Sequence, residues 1–98
     1  MYQLELSDEA RLDIIEVFLW YETQRTGLGL DFELCLEAGL NQVKRNPLIF
    51  EMRYKNMRVH FIERFQYGIH FLIDKQTVRV LGVFHTSRNP NSWYNRIK

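Results

Sequence analysis

The chain has 98 residues, of which 46% are hydrophobic and 14% aromatic, with five glycines, two prolines and a formal net charge of +1. This composition predicts one packed domain over residues 1–98 and excludes a disordered segment, a linker and a repeat array. No apolar run approaches the roughly 18 residues of a membrane span, and the N-terminus lacks a secretory signal, so we expect a cytoplasmic protein with no membrane partner.

The small net charge conceals an asymmetry between the two halves of the chain. Residues 1–50 carry nine acidic and four basic side chains, a balance of −5, whereas residues 51–98 carry three acidic and nine basic ones, a balance of +6. Such polarised charge creates a directional field that can orient binding to a charged partner. An ordinary solvated surface whose charges happen to segregate is the alternative.

The first two elements follow from the spacing of apolar residues. Alternation over residues 2–6 predicts a short strand with one buried face. A helix follows, capped by Ser7 or Asp8 and stopped by Gly27. Its predicted buried face comprises Ala10, Ile14, Val17, Phe18 and Tyr21, widened by Leu12, Ile15 and Leu19, and its predicted wet face comprises Glu9, Asp13 and Glu16.

A second helix is predicted from about Leu28 or Leu30 to Arg45. Asn46-Pro47 ends it, because a residue before proline disfavours the α conformation. Two helices with a short joint predict an antiparallel hairpin. The single cysteine cannot form an internal disulfide, and its apolar helical context predicts a core position. The predicted buried stripe comprises Phe32, Cys35, Leu36, Gly39 and Val43.

From about residue 50 the apolar period changes to two. Alternation near residues 58–61, 67–74 and 78–85, with short polar links, predicts three antiparallel strands. Asn89 and Pro90 predict a short C-terminal helix. The order β-α-α-β-β-β predicts an α+β fold, in which the helical hairpin packs on a mostly antiparallel sheet. In the last strand one face is predicted to hold Val78, Val80, Gly82 and Phe84, and the other Arg79, Leu81, Val83 and His85.

Several short motifs occur in a fixed order along nearly the whole chain. They are the helix opening Ala10-x-x-Asp13-Ile14, the helix end Asn46-Pro47 and the hairpin sequence over residues 64–71. The most specific is His85-x-x-Arg88-Asn89-Pro90-x-x-Trp93. In this order the motifs resemble the RelE/ParE family of toxins from type II toxin–antitoxin systems, and the last one resembles the ParE branch.

The resemblance implies a toxin encoded beside a cognate antitoxin protein, which wraps the toxin and neutralises it. ParE-like members inhibit DNA gyrase and thereby block replication. RelE-like members are endonucleases that cut messenger RNA on the ribosome. Neither branch needs a metal or an organic cofactor, so none is expected here. A homodimer and a hetero-oligomer with the antitoxin are both open.

The two branches differ in the cations that a ribonuclease needs. RelE-like nucleases use a C-terminal arginine and tyrosine, which Arg88 and Tyr94 match at the same spacing. This chain has Val59 and Phe61 where that branch has strand lysines, and Gly68 where it has an arginine. Losing three cations would leave a multiply charged transition state poorly stabilised. We therefore favour a ParE-like toxin that is not an enzyme.

A surface for the target and a surface for the antitoxin follow from this interpretation. Trp20 lies on the mostly polar face of the first helix, so it belongs either to an exposed antitoxin-docking patch or under another loop. His60 and His70 could hold a metal only if they faced each other. The predicted target-binding residues are Arg58, Arg64, His85, Arg88, Trp93 and Tyr94.

Two structural alternatives and two functional ones accompany these residues. His85 could instead tie the end of the last strand to the following turn by a hydrogen bond, and Trp93 could be core packing. If the chain were a ribonuclease, His85, Arg88 and Tyr94 would be its catalytic residues. A module that binds an antitoxin without toxicity is a third interpretation.

Overall fold

Two antiparallel helices cover one face of a five-stranded sheet in the computed structural model, which describes residues 2–87 and Arg96. The sheet order is β1-β5-β4-β3-β2; β1 runs parallel to β5, and the other neighbours are antiparallel. The elements are β1 (Gln3–Leu6), α1 (Asp8–Gln24), α2 (Leu28–Arg45), a 3-10 turn (Pro47–Ile49), β2 (Met52–Tyr54), β3 (Met57–Phe61), β4 (Tyr67–Asp74) and β5 (Thr77–His85).

The predicted α+β fold is confirmed, with the short edge strand β2 as an addition that the sequence pattern did not indicate. The predicted C-terminal helix lies outside the described residues. Neither of the two long helices in the described part of the chain combines the length and the apolar character that crossing a membrane requires.

The helical hairpin forms where its capping and joint residues predict. The Ser7 side chain accepts a hydrogen bond from the Ala10 N–H at 3.0 Å, which caps α1. Gly27 joins the helices with a φ of +89°, a conformation that a side chain would disfavour. A Cβ on Gly29 would lie 2.6 Å from the Phe18 carbonyl oxygen, so the close approach of the two helices depends on this glycine.

The core lies between the helices and the sheet. Ala10 and Val17 of α1 and Phe32 of α2 are buried as predicted, against Ile69 and Phe71 of β4. Burying a side chain such as valine or phenylalanine contributes about 1.5–3 kcal/mol, so this layer stabilises the fold. The predicted core position of the cysteine is only partly realised, because its side chain is half-buried at the rim of this layer.

One predicted feature of α1 is wrong. Leu12, Ile15 and Leu19 do not widen the buried face, since they are 58%, 52% and 56% exposed. Their spacing of three and four residues places them on one stripe, opposite the face that carries Ala10 and Val17. A single helix face already fills the space above the sheet, so this second apolar stripe points away from the core.

The uninterrupted alternation predicted for β5 is also wrong beyond Val80. His70 pairs with Gly82 but the next residue, Phe71, pairs with Val80, so β5 contains one extra residue, Leu81. Such a β-bulge reverses the faces of all later residues in the strand. Val83 consequently joins the core beneath the helices.

The assignment of Asp13 to the wet face is wrong as well, because this residue is only 9% exposed. Strand β1 pairs with residues 77–80 and leaves the edge of β5 beyond them without a neighbouring strand. The Asp13 carboxylate fills this place and accepts a hydrogen bond from the Val83 N–H at 3.0 Å. A carboxylate with such a partner is no longer free to face water.

Arg96 supplies the opposite charge to this carboxylate. Its guanidinium donates to both Asp13 oxygens, at 2.9 and 3.1 Å, and to the carbonyl of the bulged residue Leu81 at 3.0 Å. The same group lies 4.8 Å from the ring centroid of Phe84. The hydrogen bonds to Asp13 raise the pKa of Arg96 further. A bidentate ion pair of this kind offsets the desolvation cost of burying a carboxylate.

Replacing Asp13 by alanine removes one member of this buried pair. We expect Asp13→Ala to lower the free energy of unfolding by about 3–5 kcal/mol, because the Arg96 guanidinium and the Val83 N–H lose their partner. Asp13→Asn keeps part of the hydrogen bonding and should lose less. Urea denaturation followed by circular dichroism measures both.

The matched control for this experiment is Asp74→Ala, which removes an exposed carboxylate 3.5 Å from Arg79. An exposed ion pair contributes at most about 1 kcal/mol. Equal losses for Asp13→Ala and Asp74→Ala would contradict the structural importance of the buried pair.

Candidate functional site

An open cleft of about 270 Å³ lies between the C-terminal half of α1 and the end of β5. A neighbouring depression continues it and shares three of its lining residues. We use the name aromatic cleft for the part of its wall formed by Glu16, Trp20, Tyr67 and His85. The remaining residues that line the cleft are Asp13, Val17 and Val83, and those added by the depression are Tyr21 and Ser87.

His85 enters the cleft because of the bulge in β5. It pairs with Tyr67 across the strands, and the two rings meet edge-to-face with centroids 5.1 Å apart. The Ser87 N–H donates to its Nδ1 at 3.1 Å. Since a backbone N–H can only donate, the neutral imidazole carries its proton on Nε2. The bond that ties the strand end to the next turn is therefore present, and Nε2 remains as a hydrogen-bond donor.

Among the residues that the structure describes, the charge around the aromatic cleft is negative. On α1, Glu9 lies 3.3 Å from the Arg96 Nε, and Asp13 takes the other side of that guanidinium. Glu16 is exposed, and in residues 2–87 and Arg96 no cation lies within ion-pair distance of it. Glu16 also acts electrostatically on Arg96, so in the described part of the chain three carboxylates face one guanidinium and negative charge is in excess.

The predicted cationic residues do not line the aromatic cleft. Arg58 lies on β3 and donates to the Phe50 carbonyl. Arg64 lies in the turn between β3 and β4, 3.8 Å from Asp31 and 5.5 Å from the ring centroid of Phe65. These contacts hold the two guanidinium groups at separate places. The other predicted target-binding residues, Arg88, Trp93 and Tyr94, lie outside the described part of the chain.

The sheet face opposite the helices is apolar where a ribonuclease of the related branch would carry cations. Val59 is buried beside His70, and Phe61 pairs with Gly68. Met57 and Phe84 are buried on the same face, at 1% and 2% exposure. These positions carry no cation themselves, although the Arg53 guanidinium lies 5.4 Å from the ring centroid of Phe61.

Two histidines that the sequence singled out lie on opposite faces of the sheet. The His60 Nε2 lies 2.7 Å from the Gln42 side chain on the helical face, and burial lowers its pKa. On the other face the His70 Nδ1 lies 2.7 Å from the Tyr54 hydroxyl. Burial lowers the pKa of His70 to about 4, so its imidazole is neutral near pH 7. The two histidines therefore do not form a shared metal site.

A second surface, the outer stripe, consists of Leu12, Ile15 and Leu19 on α1. Trp20 flanks it and is 56% exposed, which agrees with the predicted exposed patch rather than burial under a loop. On α2, Leu30 and Leu34 are also more than half exposed. The outer stripe was not predicted, although its signal was present in the sequence: α1 carries apolar residues on two opposite faces.

A family model and a solved structure each match most of the chain. A family model described as ParE toxin of type II toxin-antitoxin system, parDE, matches residues 4–90. A solved structure from the chromosomal ParDE TA system from P. aeruginosa superposes with a TM-score of 0.78 over 87% of this chain and 96% of that chain. The sequence identity is 12%, so this likeness shows the fold alone. No curated protein sequence matches the chain.

The buried neutral His70 predicts a loss of stability in mild acid. Its pKa is about 4 in the folded chain and 6.5 when unfolded, so the unfolded state binds the extra proton as pH falls between these values. The contribution is intact above pH 6.5, and we expect it to fall by about 2.5 kcal/mol on going from pH 7.5 to 4.5. Urea denaturation at both pH values measures it.

The comparison variant for this prediction is His70→Gln, which keeps a polar group near Tyr54 but does not titrate. Its stability should change less between the two pH values than that of the natural chain. Identical pH dependence in both proteins would rule out His70 as the responsible group.

Proposed function

Because this chain belongs to the ParE toxin family of type II toxin–antitoxin systems, we propose that it inhibits DNA gyrase and is neutralised by a cognate antitoxin. The gyrase target is what the ParE branch of the resemblance implies. The observation on this structure that carries the partner half of the proposal is the outer stripe.

The outer stripe is a surface that gains free energy when another chain covers it. Leu12, Ile15 and Leu19 are each more than half exposed, on a helix whose other face is already committed to the core. Each such side chain contributes roughly 1–2 kcal/mol when fully removed from water. An amphipathic helix laid along α1 would bury all three at once, as helices do in grooves of partner proteins. The antitoxin is the partner that the family supplies.

The apolar residues on the sheet face opposite the helices support gyrase inhibition over messenger RNA cleavage. A ribonuclease without a metal needs cations beside the scissile phosphate. Val59, Phe61 and Gly68 provide none, and the buried His70 is neutral at pH 7. Among the residues that the structure describes, His85 is the remaining candidate for acid–base chemistry, and it lies beside carboxylates rather than cations. Inhibition through binding requires no such apparatus.

Expression without an antitoxin tests the gyrase proposal. Purified toxin should inhibit supercoiling of a relaxed plasmid by gyrase and trap cleaved DNA, while translated messages stay intact. Specific cuts in ribosome-bound messages would overturn the proposal in favour of the nuclease. The absence of a growth defect, together with full gyrase activity, would favour a non-toxic module that binds an antitoxin.

Charge placed on the outer stripe should weaken antitoxin binding without unfolding the toxin. We expect Ile15→Glu to lower the affinity for the protein encoded beside the toxin gene at least tenfold, because a carboxylate would be buried in an apolar contact. Ile49→Glu is the matched control, since Ile49 is 67% exposed on the 3-10 turn. Titration calorimetry measures both. Equal affinities for the two variants would contradict docking on α1.

A further inference from the structure

We propose that the aromatic cleft binds the side chain of an arginine or lysine residue of the antitoxin. The inference rests on the proposed function, since it assumes that an antitoxin is the partner. It specifies a pocket beside the outer stripe and the chemical class of the group that binds in this pocket. Its support comes from the rings, the charge and the hydrogen-bonding state of the cleft.

The Trp20 ring of the aromatic cleft is both held in place and exposed. Trp20 remains 56% exposed, although it packs edge-on against Tyr21 with centroids 5.0 Å apart. Tyr67 is fixed by its edge-to-face contact with His85. Exposed and oriented aromatic rings attract cations through the negative potential of their faces. Placing them in advance lowers the entropy lost when a ligand binds.

The sign of the local charge selects a cation rather than a nucleotide. Aromatic rings beside a histidine would also suit a stacked base, but a nucleotide brings phosphate. Among the described residues no cation lies within ion-pair distance of Glu16, and Arg96, which interacts with it electrostatically, is already paired with Glu9 and Asp13. A phosphate entering this cleft would meet like charge, whereas a guanidinium or an ammonium group would supply the missing counter-charge to Glu16.

His85 favours a cation that is part of a polypeptide over a free amine. Its Nδ1 is engaged by the Ser87 N–H, which leaves Nε2–H as a donor that cannot bond to a cation. A backbone carbonyl next to the bound side chain would be a suitable acceptor. The cleft thus offers a carboxylate for the side chain and a donor for the main chain of the same residue.

Charge reversal tests the pocket with the antitoxin itself. Glu16→Lys should weaken the affinity for the protein encoded beside the toxin gene about tenfold or more, because one attractive contact becomes repulsive. Glu51→Lys makes the same change of charge at an exposed site that follows α2 in the sequence and directly precedes β2. It should alter the affinity less than twofold. In the Glu16→Lys toxin, changing one antitoxin arginine or lysine to glutamate should restore binding.

The outcomes separate the pocket from the proposed function. If the antitoxin binds the natural toxin but Glu16→Lys and Glu51→Lys behave alike, or if no reversed antitoxin charge restores binding, the pocket is overturned and the proposed function stands. If the neighbouring protein does not bind the natural toxin at all, the attribution to an antitoxin fails.

A small probe tests the chemistry of the aromatic cleft without an antitoxin. Acetyl-arginine amide should shift the Trp20 indole N–H signal in a nuclear magnetic resonance titration, with the signal assigned through Trp20→Phe. The neutral isostere acetyl-citrulline amide should shift it at least fivefold less, and Glu16→Gln should abolish the difference. Equal shifts from both amides, or a larger shift from adenosine monophosphate, would overturn cation recognition.

Discussion

The architecture depends on a hydrogen bond that the edge of β5 donates to a carboxylate rather than to a neighbouring strand. Asp13 takes the edge position beside β5 that β1 leaves open, and Arg96 neutralises it from the far end of the sequence. This pair docks α1 at a fixed height over the sheet and satisfies the bulged carbonyl of Leu81. The bulge then directs Val83 into the core and His85 into the aromatic cleft. The shape of the aromatic cleft is therefore a consequence of how the edge of β5 is completed.

The division of α1 into two apolar faces gives the molecule a core and an outer stripe at once. A sheet of this width is covered by one face of each helix, so a second apolar stripe has no place inside the chain. Acidic residues follow the outer stripe into the aromatic cleft, where Glu16 lies beside Trp20. The acidic half of the sequence thus contributes to the wall of the aromatic cleft, whereas the predicted cations Arg58 and Arg64 are held apart by local contacts.

Structural features that depend on neighbouring residues could be predicted from the sequence, whereas features that depend on distant residues could not. The Ser7 cap, the hairpin and the helix end at Asn46 follow from local preferences, and all are present. The burial of Asp13 depends on a residue 83 positions away, and the bulge at Leu81 depends on pairing with β4. Apolar periodicity also cannot distinguish a stripe that faces the core from one that faces a partner, so Leu12, Ile15 and Leu19 were misplaced.

The 83-residue separation of Asp13 and Arg96 also sets an order of assembly during synthesis. Helix α1 leaves the ribosome early, but its carboxylate acquires a counter-ion only when nearly all the described chain has emerged. Contacts between such distant residues form late, because a long loop must close first. The cleft beside α1 reaches its final shape at that last step, so an incompletely translated chain would have an incomplete cleft.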